Sequence, residues 1–307
     1  MRCVVVLGLV LMPALAWAIP PRPTIPQDAP WTEALPLDRS ADFSASTVAG
    51  SRLVVDNRFG WMWARPSPTK MIWYDAWAYC GNLRAGGFSD WELPGFWQLR
   101  SIVDHLASGP YIYAAFNQVH IDHIFWSRDD SISIDQPDWD DRWALFAKRG
   151  LFTFERRDEE FHAMCVRGRT PDIQAPAGEE RFSEVSTDLI LDRRTGLYWT
   201  SPRKTSTSRF YMWTVPLPFA DATKYCDDLR FAGRSNWRLP NVQELIVIMQ
   251  PQFRHPMTSM PKLPSSMYPI WTSNSQPRTG YQWKVFANAQ VVASDDKIGI
   301  FGCVHDN

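Results

Sequence analysis

Most motifs that would name an activity are missing from this sequence. Its 307 residues hold no G-x-S-x-G elbow, no H-E-x-x-H helix, no C-x-x-C pair, no phosphate-binding loop and no G-x-G-x-x-G turn. Each motif places reactive groups at the spacing its chemistry needs, so their joint absence speaks against the common hydrolases, metalloproteases and nucleotide enzymes. The chain is expected not to be an enzyme. It also lacks an excess of charge of either sign: 32 Lys and Arg face 33 Asp and Glu, a net of −1. That excludes the broad basic footprint of a general nucleic-acid binder. Cysteine is scarce, at five residues, and no apolar run approaches the ~20 residues of a membrane span.

The longest apolar run is short and stands at the N-terminus. Arg2 precedes Val4–Leu15, and Ala16-Trp17-Ala18 follows as a small-x-small cleavage site. This order predicts a signal peptide over residues 1–18. The mature protein is expected to be exported, periplasmic or at the cell surface, with no transmembrane segment after cleavage. Removing Cys3 leaves Cys80, Cys165, Cys226 and Cys303. An even count in an oxidising compartment points to disulfides, and four cysteines allow three pairings.

What the sequence does contain is a sentence written twice. Trp73–Leu99 and Phe219–Leu245 match at 12 of 27 positions without a gap, among them Asp75/Asp221, Tyr79/Tyr225, Cys80/Cys226, Trp91/Trp237 and Pro94/Pro240. Upstream, "RLVVDNRFGWMW" matches "DLILDRRTGLYW"; downstream, "IFWS" matches "PIWTS", "RWALFA" matches "QWKVFA" and "MCVRG" matches "GCVHD". Preserved order over such a distance marks an internal duplication. Each copy, at about 118 residues, is long enough to hold its own core, so two tandem domains are expected. They span residues 51–168 and 187–307. Residues 19–50 read as an extended leader and residues 169–186 as a linker.

The elements follow from the local patterns. "RLVVD" and "DLILD" lead through a turn into an aromatic strand, a hairpin. Ala76, Cys80 and Leu83 recur at i, i+4 and i+7, as do Ala222, Cys226 and Leu229, the buried stripe of a helix; Gly87 or Gly233 stands just beyond its end. A second helix begins after "WELP" and "WRLP". Asn241 with Glu244 predicts a capping box there, and Leu99, Ile102, Val103 and Leu106 give the first copy's stripe. Strands and loops complete each unit, which is therefore α+β. One cysteine falls on the first helix and one on the last strand of each copy. That selects Cys80–Cys165 and Cys226–Cys303, each closing a loop of about 80 residues worth roughly 4 kcal/mol in the chain-entropy account.

The combined motifs resemble the Lcl C-terminal domain family, named for a bacterial collagen-like adhesin. They are D-x-x-T-G-L-x-W (Asp192–Trp199), A-x-x-Y-C-x-x-L (Ala222–Leu229), W-R-L-P-x-x-x-E-L (Trp237–Leu245), W-T-S (Trp271–Ser273) and the C-V at Cys303-Val304. The resemblance covers both copies. It implies a C-type-lectin-like fold, with two helices, a twisted antiparallel sheet and one long disulfide per copy. It also implies a bacterial envelope or extracellular setting, and some relatives are associated with adhesion to sulfated polysaccharides. The first copy departs from the pattern, with "NRFGWMW" for T-G-L-x-W and Glu92 where the second has Arg238.

Candidate binding residues are few. Trp91, Trp237, Trp63, Trp199, Trp126 and Trp271 read as core rather than as sugar platforms. "SIDQPDWDD" contains the Gln-Pro-Asp of calcium-dependent lectins, so Gln136, Asp138, Asp140 and Asp141 form a candidate calcium set, against the plainer reading of a solvated acidic loop. His120 and His123 read as a structural or exposed pair. Charge differs between the copies. Residues 51–168 hold 13 Lys and Arg against 16 Asp and Glu, a net of −3; residues 187–307 hold 14 against 9, a net of +5. Arg193, Arg194, Arg203, Lys204 and Arg209 concentrate the positive charge. Arginine pairs two-pronged with sulfate and carboxylate, so an anionic polysaccharide is the expected ligand of a non-catalytic adhesion module. The alternative is a structural subunit of a surface or secretion assembly, docking an envelope protein through the same charges.

Overall fold

The computed structural model describes residues 38–130, 140–168, 181–186, 188–201, 212–213, 215–249, 268–277, 279–286, 291–294 and 297–306. The first unit runs β1 (Phe43–Val48), β2 (Ser51–Asp56), β3 (Trp61–Trp63), α1 (Trp73–Asn82), α2 (Phe96–Ser101), β4 (Ile124–Asp130), β5 (Asp141–Phe146), β6 (Leu151–Arg156) and β7 (Val166–Arg167). The second repeats this order as β8 (Phe182–Ser186), β9 (Leu189–Asp192), β10 (Tyr198–Thr200), α3 (Phe219–Asp228), α4 (Val242–Ile246), β11 (Ile270–Ser275), β12 (Gln282–Val285), β13 (Val291–Ser294) and β14 (Val304–His305). Each unit has a four-stranded sheet, ordered β1-β2-β3-β7 or β8-β9-β10-β14, and a three-stranded sheet, β4-β5-β6 or β11-β12-β13. All pairings between these strands are antiparallel.

The hairpin that opens each unit is organised by one aspartate. Asp56 Oδ1 accepts the backbone N–H groups of Arg58 and Phe59 at 3.0 and 3.2 Å, and Asp192 Oδ1 accepts that of Arg194 at 3.1 Å. An aspartate that caps its own turn fixes the hairpin's register. Strands β1 and β8 then add an outer edge. They come from the segments read as leader and linker, because their side chains are mostly exposed and polar, as suits an edge strand.

Helices α1 and α3 bury Ala76 and Cys80, and Ala222 and Cys226, as the stripe predicts. The glycine behind each helix has a different task from the expected cap. Helix α1 ends at Asn82 with Leu83 extended. Gly86 and Gly87, at φ 63° and 81°, form the tight turn of a miniature hairpin that pairs Ala85 with Phe88. Two successive positive φ values are what a type I′ turn demands. A Cβ at Gly86 would also lie 2.6 Å from Leu53 Cδ1.

The second helix is shorter than its stripe. Ser101 Oγ donates back to the Gln98 carbonyl at 2.7 Å, α2 ends there, and Leu106 lies beyond it, 42% exposed. In α4 the capping box forms as expected: Glu244 N–H meets Asn241 Oδ1 at 2.9 Å, and Asn241 N–H meets Glu244 Oε2 at 2.7 Å.

Two disulfides, Cys80–Cys165 and Cys226–Cys303, join α1 to the residue before β7 and α3 to the residue before β14. Around the first lies a small apolar cluster with Leu53, Trp73, Ala76, Trp91 and Trp126. The larger cluster runs through both units without a break and includes Trp143, Tyr111, Trp283 and Val285.

An aromatic and cationic face on the second unit

The six tryptophans weighed as sugar platforms are all buried, so none offers an indole face to a ligand. An accessible aromatic is found instead on β10. Tyr198 pairs across the sheet with Leu191 on β9 and His305 on β14. The Arg234 guanidinium sits over its ring, 3.9 Å from the centroid. Arg234 is carried there by the second unit's miniature hairpin, where it pairs with Phe231. His305 leans on the buried Trp237 at 5.4 Å, which fixes the far side of Tyr198.

The neighbouring cation is engaged. Arg238 grips Glu244 at 2.8 and 2.9 Å and Asp306 at 2.7 Å, and the Glu244 hydrogen bonds raise its pKa above the usual arginine range. Arg234 is not so occupied. Its guanidinium bonds only the Ala232 carbonyl, at 3.2 Å, and has no carboxylate partner among the described residues. Arg193 and Arg194 occupy the β9–β10 turn of the same hairpin, Arg193 exposed and Arg194 half-buried.

The first unit supplies the comparison. There Arg167 lies over Phe88 at 3.8 Å, but Asp90 holds its guanidinium with two bonds of 2.7 and 3.0 Å. Those bonds hold the Asp90 carboxyl below its usual range. The sequence writes Asn236 where the first unit writes Asp90. One surface is thus self-neutralised in the first copy and cationic in the second. Tyr198, Arg234 and His305 were not among the sequence candidates. The signal that would have found them is this exchange of Asp90 for Asn236 beside a shifted arginine.

The remaining candidates are placed as follows. Arg203, Lys204 and Arg209 lie outside the described residues, as do Gln136 and Asp138. Asp140 is held between two guanidinia, at 2.6 Å from Arg142 and in contact with Arg157. Asp141 is buried at the start of β5. Among the described residues no group of three or more His, Cys, Asp or Glu is placed to hold a metal ion. His123 Nδ1 accepts the His120 backbone N–H at 3.0 Å, and its ring lies 4.4 Å from that of His162; burial pushes its pKa down to about 4. Asp129, on β4, caps α2 by accepting the Phe96 N–H at 2.6 Å; burial pushes its pKa up to about 6.

Two tandem α+β units of the same element order, each stapled by a disulfide, define a duplicated module. The Lcl C-terminal domain family matches residues 52–167 and 188–302, more than half of the chain, and the chain belongs to that family in two tandem copies. No curated protein matches the chain. Membership points to an extracellular binding or adhesion-type module, and two disulfides fit an exported protein. Among the described residues no helix is long and apolar enough to cross a membrane.

Proposed function

We propose that this protein is exported by its signal peptide and acts, without catalysis, as a tandem C-type-lectin-like module that binds an anionic polysaccharide of the cell envelope or its surroundings. The lectin-like reading is supported by the two helices, the antiparallel sheets and the helix-to-terminal-strand disulfide of each unit. The second unit meets the polymer on the Tyr198 face. The observation that carries this is Arg234: it lies over Tyr198 with no carboxylate partner among the described residues, where the first unit neutralises the matching cation with Asp90. A guanidinium on an aromatic ring presents charge for sulfate or carboxylate beside a flat surface for a sugar ring. Arg193 and Arg194 extend the charge along the hairpin, and Arg203, Lys204 and Arg209 belong to the same basic stretch of sequence. Binding without calcium is supported by the Asp140 carboxylate, which answers Arg142 and Arg157.

The test is retention of the intact protein on immobilised heparin and on immobilised polygalacturonate, eluted with salt. Wild type is expected to elute earlier as salt rises and to ignore EDTA. R193E/R234E is expected to lose most retention, on the order of tenfold in affinity for two charge reversals. Equal retention of wild type and variant would overturn the assignment of the face; no retention on either matrix would overturn the polysaccharide.

A further inference from the structure

A cleft of about 570 Å³ opens between the two units and shares no residue with the Tyr198 face. Its floor is stitched from both copies. Tyr111, in the loop after α2, meets Trp283 of β12 edge-to-face at 5.4 Å, and the Gln276 amide donates to the Tyr111 hydroxyl. The Trp283 indole N–H donates to the His105 carbonyl at 3.2 Å. The volume falls in the ~300–1,000 Å³ range of small-ligand sites.

The rim carries the chemistry. Lys148 and Arg149, on the β5–β6 turn, are exposed, and neither side chain has an ion-pair or hydrogen-bond partner among the described residues. The second unit lines the same cleft with Tyr281, 42% exposed, its hydroxyl likewise unbonded among the described residues. Two cations without a partner among the described residues, lining one cleft with an exposed phenol ring, suit a sugar bearing negative charge. The cations take the sulfate or carboxylate and the ring takes the apolar sugar face, while Gln276 and Thr279 bond each other, the Tyr111 hydroxyl and the Tyr281 N–H and so hold the cleft's second-unit wall in place. An acidic peptide would use the cations but would leave the phenol without a matching flat surface.

We propose that this inter-unit cleft is a second binding site, for a short anionic saccharide held by both copies at once. The proposal rests on the polysaccharide reading for its ligand class, but not on the Tyr198 face being a site. Tandem duplication then has a use beyond doubling, since neither unit contains the whole cleft.

Calorimetry on the intact protein tests it, with a heparin-derived hexasaccharide, an oligogalacturonate of similar length and a glutamate peptide of matched charge as probes. Wild type is expected to bind one or both saccharides and to bind the peptide at least about tenfold more weakly. K148E/R149E is expected to lose about tenfold or more, and Y281A about tenfold, with Y281F within about twofold of wild type. R193E/R234E is expected to lose only the component of saccharide binding that belongs to the Tyr198 face and to keep the component that K148Q/R149Q removes. The neutral pair K148Q/R149Q reads the same loss should charge reversal disturb folding. Wild-type affinity in K148Q/R149Q and Y281A, with binding lost in R193E/R234E, overturns the cleft and leaves the polysaccharide reading intact. Peptide binding as tight as saccharide binding overturns the saccharide assignment of the cleft alone. No saccharide binding by wild type, joined to no retention on either polymer, overturns both.

Discussion

Arg39 grips Asp56 with one terminal nitrogen 3.0 Å from each carboxylate oxygen, and both side chains are sealed from solvent. A second guanidinium nitrogen reaches the Ser101 carbonyl at the end of α2, also at 3.0 Å. The second unit rebuilds this contact with Arg181, Asp192 and the Val247 carbonyl, at 2.9 to 3.0 Å. Each unit therefore extends upstream to an arginine that ties its first edge strand to its second helix. Both arginines precede the segments matched by the family.

Burial pushes the Asp56 carboxyl above its ordinary value even though the Arg39 charge opposes this. Such a pair adds little net stability, yet breaking it strands a buried charge. Arg39→Met is expected to cost about 3–5 kcal/mol in urea unfolding. Arg39→Met with Asp56→Leu should recover only part of that, because Asp56 also caps the β2–β3 turn. Full recovery would show that the turn bonds contribute nothing.

Asp129 gives a pH dependence of known sign. Its folded pKa of about 6 lies above the ordinary 3.8, with burial the main cause. The folded protein therefore takes up this proton more readily than the unfolded chain does. The stability it contributes is complete below about pH 4 and is lost as pH rises through about 6. By the free energy per pKa unit, the span is up to ~3 kcal/mol. The second unit writes Asn274 at this place, and its side-chain oxygen caps Val242 at 3.0 Å. Asp129→Asn should thus fold, flatten the stability profile between pH 4 and 6, and be no less stable than wild type at pH 7. An unchanged slope would assign the titration elsewhere.

Trp283 anchors one unit to the other. It is buried against Tyr111 and His105 across the junction. Trp283→Ala is expected to cost about 3–5 kcal/mol and to split one thermal transition into two. Small-angle scattering should show a larger radius of gyration. A single, merely weakened transition would mean that other contacts hold the units together.

Non-reducing peptide maps should recover Cys80 with Cys165 and Cys226 with Cys303. Replacing both members of either pair by alanine is expected to cost about 2–5 kcal/mol. Peptides joining Cys80 to Cys226 or Cys303 would contradict the arrangement.

The parts of the fold that the sequence made legible are those that repeat or that bury a stripe. Duplication exposed the cysteine pairing, and 3.6-residue periodicity placed α1 and α3. Strands β1 and β8 were illegible because an edge strand with exposed Ser and Thr has the composition of a linker. Arg39 and Arg181 were hidden with them. The junction was illegible for another reason. Trp143 and Trp283 hold matching places in "RWALFA" and "QWKVFA", yet Trp143 packs on Phe96 and Phe154 inside its own unit while Trp283 turns to the other. Equal residues in equal strands read alike until their neighbours are known. The Tyr198 face was half legible: the charge of the second copy pointed to it, but the cation that matters there, Arg234, stood outside the basic run.

The placement of the two sulfur bridges sets how far the protein can be drawn out under load. Each bridge spans most of its unit, with sequence separations of 85 and 77. A pull on the two chain ends passes across the bridge and bypasses everything between its cysteines. Helix α2 and the three-stranded sheet of each unit, with the Lys148–Arg149 turn in the first, lie inside these closed loops and cannot be reeled out while the bridges stay oxidised. Such a pull would lengthen only the stretches outside them, and the Lys148–Arg149 turn would keep its backbone anchored on both sides.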